Sequence, residues 1–243
     1  MFLEELTSPE LAAAIRSGHT TILVPLGGTE QNGPYIALGK HNARARELAG
    51  RIAEKLGDAI VAPVVAYVPE GSLSPPAGHM RYPGTITVPE DTFERTLESA
   101  ARSFHLHGFT TIVFLPDHGG YRASLKRVAA RMARELKGSG AQALVSEAYY
   151  EAQTRGFAGL LAARGFTPEE IGEHGGAADT ALTLATAPKL VRQDALAAAA
   201  SGKGEGLRGD PRRSSAELGR LGVDLVVERT VAEIRAATGS GKH

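Results

Sequence analysis

Apolar positions along the chain fall into two kinds of run that alternate. Short β-branched runs such as TTILVPL are followed by longer stretches whose apolar residues recur at helical spacing. The short runs predict strands at Thr20–Leu26, Ala59–Tyr67, Thr110–Leu115 and Ala143–Ala148. The amphipathic stretches predict helices at Pro9–Arg16, Asn42–Leu56, Asp91–His107 and Ala123–Leu136, with further helical segments at Gln153–Ala163 and Ala177–Ala187. Ser8 reads as the N-cap of the first helix, with Pro9 at its first position. The Ala/Gly-rich stretch Ala195–Arg213 reads as a loop or short helix. The S-S-A-E of Ser214–Glu217 is a capping box that opens a last helix. Strands alternating with helices predict an α/β fold in three layers, a mostly parallel central sheet flanked by helices. No repeat or linker divides the chain, so residues 1–243 are expected to form one domain.

Composition narrows the function classes. Lys+Arg and Asp+Glu balance at 27 each, which leaves no overall electrostatic footprint for nucleic acid or an anionic membrane. Cysteine is absent, which excludes disulfides, thiolate ligands and thiol catalysis. No apolar run reaches the roughly 18–20 residues that span a bilayer. The N-terminus is acidic and helix-patterned, unlike a signal peptide. The chain as it stands reads as cytoplasmic, with periplasmic export open should a signal peptide have been removed.

Ligands of open α/β sheets bind beyond the carboxyl ends of the strands. The first strand runs out into Gly27, Gly28, Thr29 and Glu30, and the third into Pro116, Asp117, His118, Gly119 and Gly120. The fourth runs out into Glu147, Tyr149 and Tyr150. A further cluster, GEHGGAADT, offers Glu173, His174 and Asp179 where a helix begins. Each piece alone has an ordinary structural reading. Asp117 suits a turn, Asp179 suits the first turn of a helix, and the two tyrosines suit packing. His19, His105 and His107 have no acidic neighbour in sequence and read as surface or core-edge residues. Glycine-flanked imidazoles and carboxylates at two strand ends and a third loop are harder to explain by packing. No G-x-G-x-x-G follows a strand, and no Walker, H-E-x-x-H or G-x-S-x-G motif is present.

Four segments carry a resemblance. They are PLGGTEQNGPYIALGKH at 25–41, HMRYPGT at 79–85, PDHGGY at 116–121 and HGGAADTALTL at 174–184. In this order and spacing they resemble the signatures of the creatininase family of metal-dependent amidohydrolases. The resemblance implies an α/β domain with a parallel-rich sheet, usually assembled as a hexamer, acting on a small-molecule amide.

Where the chain departs from the family pattern is as informative as where it matches. Glu30 and His118 match two of the family's metal ligands. Asn32 stands in place of a ligand histidine, and His41 in place of the aspartate that bridges two metals. Neutral imidazole offers one lone pair to one metal, so His41 cannot bridge as a carboxylate does. Glu30, His41 and His118 then form a two-histidine, one-carboxylate set for one divalent metal per chain, zinc first and manganese or iron also suitable. Asp179 replaces the fourth signature's glutamate, one methylene shorter, as a further candidate ligand. The resemblance makes His174 the proton-transfer group, and Asp117 an orienting group or base. Asn32 becomes a candidate donor to substrate or metal-bound water. These residues predict metal-assisted hydrolysis of a C–N bond in a small amide, cyclic amides included. The alternatives are a metal-dependent lyase or isomerase, and a binding protein with a vestigial site.

Overall fold

The computed structural model describes residues 1–199 and 203–239. In chain order the elements are α1 (Ser8–Arg16), β1 (Thr21–Leu26), α2 (Lys40–Leu56), β2 (Ala59–Val61), α3 (Glu90–Leu106), β3 (Thr111–Pro116) and α4 (Arg122–Glu135). They continue with β4 (Gln142–Val145), α5 (Glu147–Glu151), α6 (Phe157–Ala162), α7 (Pro168–Ile171), α8 (Ala177–Thr186), α9 (Gln193–Ala197) and α10 (Ala216–Thr238). The strands form one sheet in the order β2-β1-β3-β4, and every pairing is parallel. Successive strand residues point to opposite faces, and both faces here are covered, so β1 and β3 are apolar without alternation. Leu23, Val113 and Leu115 pack against Leu48 and Ile52 of α2, Leu182 of α8 and Val226 of α10. Ile22, Val24, Ile112 and Phe114 pack on the other face with Phe93 and Leu97 of α3 and Val128 of α4.

Several predicted boundaries move, each for a local reason. The second strand stops at Val61, not Tyr67, because Pro63 has no N–H to give the ladder; pairing resumes only as an isolated Leu26–Val65 bridge. The fourth strand stops at Val145 because Ser146 caps a helix, its Oγ accepting from the Tyr149 N–H at 3.1 Å. Glu147, Tyr149 and Tyr150 therefore ride on α5 and not on a strand end. A π-helical turn, Ala152–Gly156, joins α5 to α6, so the predicted Gln153–Ala163 helix is the second half of a longer one. The first helix begins at Ser8 with Thr7 as its N-cap, and the Thr7 N–H donates to the Glu10 carboxylate at 2.7 Å. Of the S-S-A-E box, Ser215 is the cap, accepting from the Leu218 N–H. Within 195–213, α9 ends at Ala197, and residues 200–202 lie outside the described residues.

The strand order fixes where a ligand can sit. From β1 the chain goes to β2 on one side, then crosses back to β3 on the other. Connections leaving the carboxyl ends of β1 and β3 diverge, and a crevice opens between them. No helix among the described residues is long and apolar enough to cross a membrane.

Candidate metal centre

The carboxylate of Glu30, fully buried, lies four residues beyond β1 and divides the crevice in two. Its Oε2 faces two imidazole nitrogens, His79 Nε2 at 3.2 Å and His118 Nε2 at 3.5 Å. That oxygen accepts no hydrogen bond among the described residues, although it is buried. Buried carboxylate oxygens are rarely left so, and an unpaired one costs several kcal/mol unless a cation meets it. Glu30, His79 and His118 together bring their ligand atoms within 4.8 Å of one another. His79 sits on the short 3₁₀ turn Gly78–Arg81, inside the second signature segment.

The other oxygen, Oε1, faces donors. His41 Nε2 lies at 2.8 Å, His174 Nδ1 at 3.6 Å and Lys40 Nζ at 3.8 Å. His41 Nδ1 lies 2.7 Å from Asp117 Oδ1. His41 is thus clasped between two carboxylates, and the Arg44 guanidinium meets the Asp117 end of that contact, its Nη2 3.0 Å from His41 Nδ1. Arg44, one helical turn along α2, donates through Nε to Asp117 at 2.9 Å and through Nη1 to Asp179 at 3.0 Å. Lys40 Nζ donates to the second Asp179 oxygen at 2.6 Å, and Tyr149 donates to Asp117 at 2.8 Å. The Asp179 carboxylate also accepts from the Gly175 N–H.

These surroundings set the charge states. Burial alone would raise the Glu30, Asp117 and Asp179 carboxyls. The cationic partners outweigh it: His41 and Lys40 for Glu30, Arg44 for Asp117, and Lys40 and Arg44 for Asp179 hold each below the usual range. Glu70 lacks such a partner, and burial with the charge of Glu30 pushes it up to about 9. Burial lowers the imidazoles. His118 falls to about 3, with the charge of His41 adding to burial, and His174 to about 4, with Lys40 adding to burial. His79 is lowered too, chiefly by burial. At neutral pH these three rings are uncharged and their lone pairs are available.

The structure places Glu30 and His118 side by side, with His79 facing the same Glu30 oxygen. His41 contacts Glu30 through the opposite oxygen. Asp179 is held by Lys40 and Arg44, and sits outside the Glu30–His79–His118 group. Asn32 is fully buried; its Nδ2 donates to the backbone carbonyls of Glu30 (2.9 Å) and Ala37 (3.1 Å), which braces the loop. Asp117 lies against His41, its Oδ1 2.7 Å from Nδ1. His174 donates from Nε2 to the Gln31 carbonyl at 2.7 Å, which leaves Nδ1 as the basic nitrogen. Sequence reading missed Lys40, Arg44, Glu70 and His79; of these, Lys40 and His79 lay inside quoted motifs. A cleft of 470 Å³, lined by Lys40, His79, His118, His174, Asp179 and Arg208 among others, opens onto these groups.

An all-parallel sheet with carboxylates and neutral imidazoles converging beyond its carboxyl edge presents the donor set that metal-dependent hydrolases use. The family model for creatinine amidohydrolase (Creatininase) matches residues 4–234, and the chain belongs to the creatininase family of amidohydrolases. It is 27% identical to the creatinine amidohydrolase of Pseudomonas putida over 197 residues, 80% of this chain and 75% of that one. It is 34% identical to the mycofactocin precursor peptide peptidase of Mycolicibacterium smegmatis over 124 residues, 49% of this chain and 47% of that one, so this match spans about half of that relative. A solved mutant creatininase superposes with a TM-score of 0.80 at 24% identity, covering 98% of both chains. A manganese creatininase superposes at 0.78 and 24%, again over 98% of both chains, and a mutant of the Zn-Zn type likewise at 0.78 and 23%. These structures establish the shared fold.

Proposed function

We propose that this chain is a metal-dependent amidohydrolase that uses water to cleave a C–N bond of a small amide, cyclic amides included. The observation that carries the reading is the buried, unpartnered Glu30 Oε2 facing two imidazole Nε2 atoms. Those three residues would hold the cation, with His41 Nε2 adjoining from the far side of Glu30. A divalent ion bound there polarises a substrate carbonyl and lowers the pKa of water. Charge supports a cation here: three ionised carboxylates (Glu30, Asp117, Asp179) face Lys40 and Arg44, and burial keeps Glu70 neutral in the metal-free protein, so one negative charge is left for a cation to meet.

The chain's own groups handle the rest. His174, with Nε2 tied to the Gln31 carbonyl, takes a proton from the attacking water at Nδ1 and returns it to the leaving nitrogen. Lys40, buried on the cleft wall, keeps a positive charge beside the reacting carbonyl. Asp117 and Arg44 fix His41 against Glu30.

A second reading is favoured by the space beside His174. A 440 Å³ recess lined by Ala158, Ile171, Ala178 and Leu182 adjoins His174 and Asp179 and would accept an apolar side chain. With the partial similarity to a peptide peptidase, it favours a scissile amide within a peptide. Both readings meet one experiment: zinc-loaded protein incubated in ¹⁸O-water with a panel of cyclic amides and short peptides. Hydrolysis puts ¹⁸O in the new carboxylate, and the class turned over decides between the readings. Turnover without ¹⁸O points to a lyase or isomerase instead.

A further inference from the structure

Glu70 has no place in the chemistry above, yet its burial demands one. It lies in the long connection between β2 and α3, with its side chain fully buried. Neither carboxylate oxygen accepts a hydrogen bond among the described residues. The main chain nonetheless holds it in place, since the Glu70 N–H donates to Thr87 Oγ1 at 3.0 Å. Gly28, just past β1, makes room for it: a Cβ there would lie 2.5 Å from Glu70 Oε1, and Gly28 sits at φ +153°. A side chain so enclosed, with both oxygens free, is directed at a partner.

Two groups of the site adjoin Glu70, the Glu30 carboxyl and the His118 ring, and of these only the ring can carry a proton to it while Glu30 stays ionised. The ring's Nε2 faces Glu30 Oε2, and its Nδ1 lies 3.6 Å from Glu70 Oε2. The Gly120 N–H approaches the same Nδ1 at 3.2 Å. These two neighbours ask for opposite tautomers. Gly120 requires a lone pair on Nδ1, which puts the proton on Nε2 and blocks ligation there. A carboxylate requires a proton on Nδ1, which frees the Nε2 lone pair toward Glu30 Oε2.

Building on the metal reading above, we infer that Glu70 is the positioning residue that selects the ligating tautomer of His118, accepting Nδ1–H so that Nε2 can bind a divalent cation. Ligating histidines commonly donate their second N–H to a carboxylate, and losing that partner costs about 10–100-fold in metal affinity. Glu70 acts on the cation through His118 and need not touch substrate. Gln at position 70 keeps the size but replaces the carboxylate with a weak amide acceptor, which also has a donor to offer Nδ1.

The test measures zinc affinity by chelator competition for the wild type and Glu70→Gln, with ¹⁵N shifts of the His118 ring in the zinc-loaded wild type. The inference expects wild-type zinc near one per chain, His118 protonated at Nδ1 and bound through Nε2, and a 10–100-fold weaker Kd in Glu70→Gln. Thermal melting of the metal-free variant separates this from collapse of the fold: a structural role alone would lower the midpoint and leave the ring shifts of the zinc form unchanged. Zinc affinity in Glu70→Gln within twofold of wild type, or His118 bound through Nδ1, overturns the inference while the metal reading stands. A wild type that binds no zinc overturns both. Should the variant not fold, the ring shifts of the wild type decide alone.

Discussion

Two pairs of carboxylates lie within one crevice and are treated in opposite ways. Asp117 and Asp179 are saturated: Arg44 joins them, Lys40 and Gly175 complete Asp179, and His41 and Tyr149 complete Asp117. Glu30 and Glu70 keep three buried oxygens without a partner. Saturated buried charges hold a structure together, since breaking one such pair costs about 3–5 kcal/mol. Unsatisfied ones mark where something must arrive. On this difference rests the proposal that the aspartates serve as scaffold, Glu30 as cation ligand and Glu70 as the group that positions His118.

The strongest way to break this contrast is to remove a group from the unsatisfied side. His118→Ala should weaken zinc binding by well over about 100-fold, beyond the usual loss for an outlying partner, while the metal-free fold persists. Metal analysis after dialysis reads it, and retained zinc at one per chain would undo the assignment. His174→Ala should leave zinc in place and lower kcat by about 10²–10⁴ on any substrate found by the ¹⁸O assay. On the saturated side, Arg44→Met should cost about 3–5 kcal/mol, because two buried carboxylates lose their shared partner; urea denaturation of the metal-free protein measures it.

A pH series sharpens the contrast further. Burial and the charge of Glu30 push Glu70 up to about 9 in the fold from the ordinary 4.5, so its carboxyl favours the fold at low pH and this contribution is lost as pH rises toward 9. The stability of metal-free Glu70→Gln relative to wild type should therefore grow from pH 4.5 to 9. His118 and His174 act in the other direction, with folded values of about 3 and 4 against 6.5. Neutral rings favour the fold above pH 6.5, and both proteins should lose this contribution as pH falls through the folded values. The smallest effect belongs to Tyr121→Phe, which should cost about 1–2 kcal/mol in the same denaturation assay.

Much of this was legible in the chain. The uninterrupted apolar runs of β1 and β3 announce a sheet covered on both faces, and Glu30 and His118 follow them at the edge where ligands bind. Lys40 and Arg44 were not legible. On α2 they look like ordinary solvated cations, and only the fold shows that Arg44's carboxylates come from 73 and 135 residues away. Glu70 and His79 lie in a connection with no periodicity, so nothing in the pattern fixes where they point. The contacts of Asn32 were not legible either, since the carbonyls its Nδ2 meets are set by the path of the loop and not by the signature.

Tyr121 carries a consequence for motion. Its buried hydroxyl donates to the Leu26 carbonyl at 2.7 Å and accepts from the His118 N–H at 3.0 Å. It is a crossbar between the tips of β1 and β3, three residues from His118 and reaching the strand that leads to Glu30. Displacing one tip must displace the other, so Glu30 and His118 fluctuate as one body, and anything that pulls on one strand end is felt at both.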